Sequence, residues 1–563
     1  GEISYNVNLY SEVVALADVL GDKTFSDLDF TELEHAYNKI QITASWNDAP
    51  SSGITYTNPS TSGFRDANST VKYPFVDWTH QILIGGSGTG TTATDGNPEL
   101  TNLETAFRPF INIKYLIDRI FQAVPFTYES EFFDTEDFQK LYMDFNWGAE
   151  NAPALVGGTT YLGQNQYIGL TAATTSFTNL QFMNVNNYNA FLPPNYNVTT
   201  NVLTATQVNE TYSITYNVII EATAGEVVDF QWLHSNSSGT AIQSFNVNSY
   251  TTTGAIFSYA GVFTIIMNTG DTLQPQFKTS GGTVIQDAAA GALTFVHSIS
   301  AITTNVLLQT LRGELGQWDF LKGLMTMFNL VTLVDEDNPN NILIEPYSDV
   351  FIPTATAGNT LANRGIEHDW TDKIDVSEMK LTPLTDLNKK TIFKFVEDKD
   401  DFAFMNYKRQ VGGHLYGSKK YDATEFTILA GEDEIVAEPF AATVVKPLED
   451  IFPDFITPAI YSMNEDETSE GFDNSPRIMF NNGIKSTGAS YYIPAQNGGT
   501  SANEDDFLQF SHLTDVPTVQ ATSTVAGSRD FHFGECQLLT GVGSPVNDNL
   551  FNLYWLPYYS ELY

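Results

Sequence analysis

In Tyr212-Ser213-Ile214-Thr215-Tyr216-Asn217-Val218-Ile219-Ile220, the large apolar side chains Tyr212, Ile214, Tyr216, Val218 and Ile220 occupy every second position, with Ser213, Thr215 and Asn217 between them. A strand sends successive side chains to opposite faces, so this spacing predicts a strand with one buried face. Phe263, Ile265 and Met267 repeat the pattern and stop at Gly270-Asp271, a turn pair. The surroundings match. From Asn151 to Thr303 only Glu210, Glu221, Glu226, Asp229, Asp271, Lys278 and Asp287 are charged, in a chain that carries 67 acidic and 26 basic residues. The segment is otherwise Thr, Asn, Ser, Gly and aromatics, with no helical period. Residues 151–303 are therefore expected to form an antiparallel β-sandwich.

Helical patterns flank it. Ile113, Leu116, Ile117, Ile120 and Phe121 form one apolar stripe. Asp134-Thr135 supplies a cap for a short helix burying Phe138 and Leu141. Beyond the segment, Leu321, Leu324, Met325 and Phe328 make a second stripe, and Val331–Val334 turns through residues 335–341 into Ile342-Leu343-Ile344. The sandwich then reads as an insertion into a host domain built from residues 1–150 and 304–368. Within the first part, Val13, Val14, Leu16, Ala17 and Leu20 form a short amphipathic turn closed by Gly21, and Gly85 to Gly96 is a Gly/Thr-rich loop. From 369 to 563 an acidic, β-rich domain is expected, with strands at Ile374–Met379, Lys390–Val396, Glu425–Leu429 and Glu434–Glu438. A hairpin is expected at Asn482-Gly483, and acidic loops at Met463–Gly471 and Gly498–Asp506. The fold class is mainly β and multi-domain, with barrel or sandwich domains and a few short helices.

The net charge of −41 argues against nucleic acid and anionic membrane surfaces, both of which need a Lys/Arg face. No window approaches the roughly 18 uninterrupted apolar residues of a membrane-spanning helix. Cys536 is the one cysteine, which excludes an internal disulfide framework and a cysteine-based zinc site. The chain opens at Gly1 without a signal-peptide pattern, as if a leader were removed or the record began late. Phe551, Tyr554, Trp555, Tyr558, Tyr559 and Tyr563 crowd the other end, which predicts a truncated C-terminus.

No catalytic motif stands out. There is no nucleophile elbow, no phosphate-cradling Gly-Lys-Ser/Thr loop and no dinucleotide fingerprint, and the Gly85–Gly90 stretch lacks a following Lys. The eight histidines show no metal-ligand spacing. His532 and Cys536 are four apart, but Phe531-His532-Phe533-Gly534 reads as strand, where that spacing separates side chains by about 13 Å. Asp335, Asp337 and Asn338 open like a calcium loop, yet position six is Asn340 and position twelve Pro346, which favours a polar turn. Glu397-Asp398-Lys399-Asp400-Asp401 reads as a solvated loop tip. No metal, cofactor or catalytic residue is expected, and the chain is read as a non-enzyme. Four Asn-X-Ser/Thr triplets, at Asn68, Asn197, Asn209 and Asn236, are chance matches in a chain so rich in Asn and Thr. Trp232, His234 and Asn236 are the candidate glycan contacts, because aromatic and amide groups on a rigid sheet can stack on and hydrogen-bond a sugar without charge.

Four patches resemble structural proteins of tailed-phage tails, specifically baseplate-hub or tail-tip proteins. The first is Leu20-Gly21-Asp22-Lys23 with Asp27-Leu28-Asp29 and His35-Ala36-Tyr37. The second is Phe107-Arg108-Pro109 running into the helix through Phe121. Trp318-Asp319-Phe320-Leu321-Lys322 through Asn329-Leu330, with Ile344-Glu345-Pro346, is the third. The fourth joins Asp369-Trp370-Thr371-Asp372-Lys373, Pro383-Leu384-Thr385-Asp386-Leu387 and Tyr416-Gly417-Ser418-Lys419. The resemblance implies a virion component forming a homo-oligomeric ring, commonly a trimer, between tail tube and central spike. Its sandwich would face outward, free to contact host-surface glycans. Two readings of other classes stand beside it: a secreted or cell-surface glycan-binding protein, and a glycoside hydrolase with an accessory sandwich.

Overall fold

The computed structural model describes Asp372, Ser377 and the chain in blocks that contain short gaps: 12–47, 70–84, 96–148, 156–352, 387–493, 502–514, 527–536 and 546–563. The protein is mainly β and multi-domain, with few helices.

Among the described residues two large hydrophobic cores organise it, beside a small cluster of Val445, Ile456 and Leu513. The smaller of the two large cores lies within the insertion and gathers Tyr212, Ile214, Tyr216, Val218, Ile220, Phe230, Trp232, Phe277, Leu293 and Phe295. The alternating residues of Tyr212–Ile220 all point inward, as period-two patterning requires. Two antiparallel sheets enclose them. One runs Tyr196–Asn197, Val202–Thr204, Thr272–Thr279, Val227–Ser235, Ala241–Thr251. The other is centred on Glu210–Ala222, paired on one side with Ala292–Ile299 and on the other with Phe257–Met267.

The larger core draws on both ends of the chain. Its main sheet orders Val71–Lys72, Phe110–Asn112, Leu141–Asp144, Ile478–Ile493, Pro98–Glu99 and Leu83–Ile84, with Ala502–Ser511 on Ile478–Ile493. The expected boundary at 369 therefore does not separate two cores: residues on either side of it share one sheet and one aromatic cluster. The helix Ile113–Gln122, capped by the Asn112 side chain, buries the predicted stripe against this core. Thr135 caps Glu136–Gln139, and Gln317–Phe328 ends at Asn329 in the left-handed region, leading into the hairpin Leu330–Val334 and Asn341–Pro346. The terminal aromatics are used within this fold. Phe551 and Tyr559 are buried, Trp555 Nε1 donates to Thr326 O, and Tyr563 Oη donates to Asn388 O.

Three buried arginines tie distant segments together. Arg312 donates to the Asp144 carboxylate at 2.6 Å and to Asn474 O at 2.9 Å. Arg477 reaches Asp398 at 2.8 Å and Asp401 at 3.2 Å. Arg108 lies between the rings of Trp78 and Trp147 and donates to Asn146 Oδ1. The Glu397–Asp401 run is consequently not a solvated tip: Asp398 and Asp401 are buried as counter-ions of Arg477, and only Lys399 and Asp400 are exposed.

Other local expectations change too. Asn482-Gly483 makes no hairpin; one strand runs through it with a register shift, Gly483 at φ +74° and its N–H held by Asn481 Oδ1. Left-handed geometry that a turn would use here absorbs one extra residue as a bulge. Residues 425–429 form turns, and the expected acidic loop at 498–506 contains the start of strand Ala502–Ser511. Met463–Gly471 is a short hairpin, Ser462–Met463 with Ser469–Glu470. Most of the expected Ile374–Met379 strand, most of the Gly85–Gly96 loop, the Asp369-Trp370 and Pro383–Asp386 patches, and the acceptor residues Asn68 and Asn209 lie outside the described residues.

Candidate functional site

The predicted glycan contacts do not assemble a binding face. Trp232 is fully buried among Tyr216, Phe263 and Phe295, so its ring has no free side for a sugar. His234 is buried and its Nε2 lies 3.1 Å from Asp271 Oδ2. Asn236 turns its Oδ1 back onto the N–H groups of Ser238 and Thr240, which closes the turn between Val227–Ser235 and Ala241–Thr251. Residue type singled out Trp232 as a stacking aromatic but could not say that its face was the inner one.

The sandwich exposes a different surface. Ala241–Thr251 and Phe257–Met267 each pair with a single described strand, and so form the edges of their sheets. The two edges meet through stacked rings, Phe245 on Phe263 at 5.0 Å and Tyr250 on Phe257 at 4.6 Å. Around this seam Ile242, Val247, Ile256 and Val262 are each more than half exposed, and Tyr250 is also exposed. No Asp, Glu, Lys or Arg occurs anywhere from Phe230 to Gly270. Soluble edges are normally blunted by charge, proline or covering structure. Among the described residues this one has none of these.

Among the described residues, one group of ligand-type side chains converges in the other part of the molecule. His512 follows the strand Ala502–Ser511, and Asp530 ends the two-residue strand Arg529–Asp530. The chain then bends through 531–534 to Cys536. The expected strand at Phe531–Gly534 is absent because Gly534 packs onto the 416–418 loop: its N–H donates to Gly417 O, and a side chain at Gly534 would strike Ser418 O. The bend brings His532 Nδ1 to 3.1 Å from Cys536 Sγ, where a strand would have held the two apart. Asp530 Oδ1 lies 2.9 Å from His512 Nδ1 and accepts the His532 N–H at 3.0 Å. His512 Nε2 contacts Tyr416 Oη at 2.9 Å. One ligand-type atom from each of His512, Asp530, His532 and Cys536 falls within 4.8 Å of every other; the first three residues are buried and Cys536 is half-buried.

Burial pushes the Asp530 carboxyl up, but the two imidazoles outweigh it and hold the group at about 2. Burial, reinforced by His512, lowers His532 to about 4. Beside Asp530 is a cavity of about 20 Å³, room for a water molecule, walled by Phe132, Phe138, Phe328, Phe531 and Tyr554; His512, His532 and Cys536 do not line it. The Asp401 carboxyl, pushed up to about 6 by burial, is enclosed with Arg477. At residues 335–341 the carboxylate of Asp335 accepts from Asp337 N and Asn341 Nδ2, in keeping with a polar turn.

No family model matches the chain, and no curated protein matches it. Among solved structures it is similar to murine APRIL, at 9% identity over 24% of this chain and 98% of that one, with a TM-score of 0.19. It is also similar to an Eiger TNF from S. frugiperda, at 6% identity over 25% of this chain and 92% of that one, with a TM-score of 0.20. Likeness at that level carries no inference.

Proposed function

We propose that this chain is a non-enzymatic structural component of a tailed-phage tail, a baseplate-hub or tail-tip protein working as a homo-oligomer. The observation that carries the reading is the uncharged, apolar seam between Ala241–Thr251 and Phe257–Met267 on a chain of net charge −41. Like-charged copies repel across most of their surfaces, and association is cheapest where charge is missing and apolar area is exposed. The seam meets both conditions, and its free strand edges can add a further strand by main-chain hydrogen bonding. The self-contact in this reading lies in the sandwich and not in the flanking β-rich regions. Residues resembling hub proteins lie in the host part, which offers its own surfaces to the tube and spike.

Light scattering and negative-stain microscopy of the full chain test the reading. A discrete oligomer with rotational symmetry and an axial opening is expected. The double variant Ile242→Lys/Val262→Lys, altering two exposed side chains, is expected to shift it to monomer. A wild-type monomer at every concentration up to the micromolar range overturns the proposal.

A further inference from the structure

We infer that His512, Asp530, His532 and Cys536 bind a single zinc ion in a structural, four-ligand site. The donor set is two imidazoles, one carboxylate and one thiol, which as thiolate suits a borderline-soft divalent ion in tetrahedral geometry. Zinc bonds of about 2.0–2.3 Å place neighbouring donors about 3.3–3.8 Å apart. Three successive separations lie within or just below that range: Asp530 Oδ1 to His532 Nδ1 at 3.5 Å falls inside it, while His532 Nδ1 to Cys536 Sγ at 3.1 Å and His512 Nδ1 to Asp530 Oδ1 at 2.9 Å need to open by a few tenths of an ångström. No pair in the group is more than 4.8 Å apart, so none needs to close by more than about 1 Å.

The surroundings are built for a ligand set. A metal-bound imidazole characteristically hands its other ring nitrogen to a hydrogen-bond partner, and His512 Nε2 has Tyr416 Oη at 2.9 Å. The main chain fixes the spacing, with Phe531 N–H on His512 O at 2.7 Å and Leu550 N–H on His532 O at 2.9 Å. Gly417 sits where any side chain would strike the His532 ring. This departs from the expectation that one cysteine rules out a cysteine-based zinc site: a single thiolate can join three other donors. Four protein ligands fill a tetrahedron and leave no open position, so the ion would clamp residues 512, 530–536 and, through Tyr416, the 416–418 loop.

Metal content and cobalt spectroscopy on the full chain decide the matter. Protein purified without chelator is expected to carry one zinc per chain by elemental mass spectrometry. Chelator-treated protein titrated with cobalt(II) alone should develop tetrahedral d–d bands together with a thiolate-to-cobalt charge-transfer band. Cys536 is the sole thiol, so that band locates the ion in the wild-type chain without any substitution. Cys536→Ser should abolish the charge-transfer band, and Tyr416→Phe should weaken zinc binding about tenfold. Failure of the folded wild-type chain to take up zinc or cobalt at micromolar concentrations, or uptake without the thiolate band, overturns the inference.

Discussion

His35 is fully enclosed, with its Nδ1 against Leu33 O and its Nε2 2.6 Å from Tyr73 Oη. A neutral ring satisfies both contacts, donating to the carbonyl and accepting from the phenol. A second proton would turn that acceptor into a donor facing a hydroxyl, and would place a charge in a fully buried site. Burial accordingly lowers His35 from 6.5 to about 4. The folded value is depressed, so the stabilisation is fully present above pH 6.5 and is lost as pH falls through 4. Its full size is about 3 kcal/mol, from about 1.4 kcal/mol per unit. Urea unfolding at pH 7 and pH 4.5 should show a smaller acid-induced loss for His35→Gln than for the wild type. Equal losses would mean that the ring does not resist protonation. None of this was legible in the sequence, where His35 appeared only as part of a resemblance patch. Its burial depends on Tyr73, 38 positions away.

At the scale of elements, legibility followed period. Tyr212–Ile220 and Ile113–Phe121 could be read because each buries one face continuously, so the spacing of its apolar residues reports the geometry directly. Elements defined by a contact from elsewhere could not. Gly534 on Gly417 converts an apparent strand into the bend that joins His532 to Cys536, and Arg477 draws Asp398 and Asp401 out of an apparently solvated run. Gly323 illustrates the same limit inside a helix. Within Gln317–Phe328 it reads as a weak point, since alanine is better by about 1 kcal/mol in a helix interior. The helix, however, lies directly on the strand Glu432–Ala441. A methyl at Gly323 would sit 2.5 Å from Glu438 O and from the Phe440 ring. Backbone cannot yield as a flexible side chain would, so overpacking, typically about 1–3 kcal/mol, should override propensity. Gly323→Ala is expected to lower the thermal midpoint in calorimetry; a raised midpoint would show that helix and strand separate without cost.

For the whole molecule, the decisive fact is that two cores share one chain. The insertion leaves the host after Gly148, whose carbonyl accepts from Arg108, and returns by Arg312, whose guanidinium grips Asp144. The host thus holds both ends of the insertion close together, and the entropy of closing that loop is already met by host contacts. The two apolar clusters have no buried residue in common, so each can lose its packing without exposing the other. Calorimetry of the full chain should resolve two transitions. Replacing 156–299 with a short Gly/Ser linker should remove one of them and leave the other near its original temperature. The link between Ile302 and His35, outside the replaced stretch, remains available to steady the junction. If the zinc inference holds, chelation should lower only the transition that survives this replacement, because all four ligands belong to the host part. One cooperative transition in the full chain, or an unfolded host after the replacement, would mean that the cores stabilise each other and that the sandwich is integral to the host.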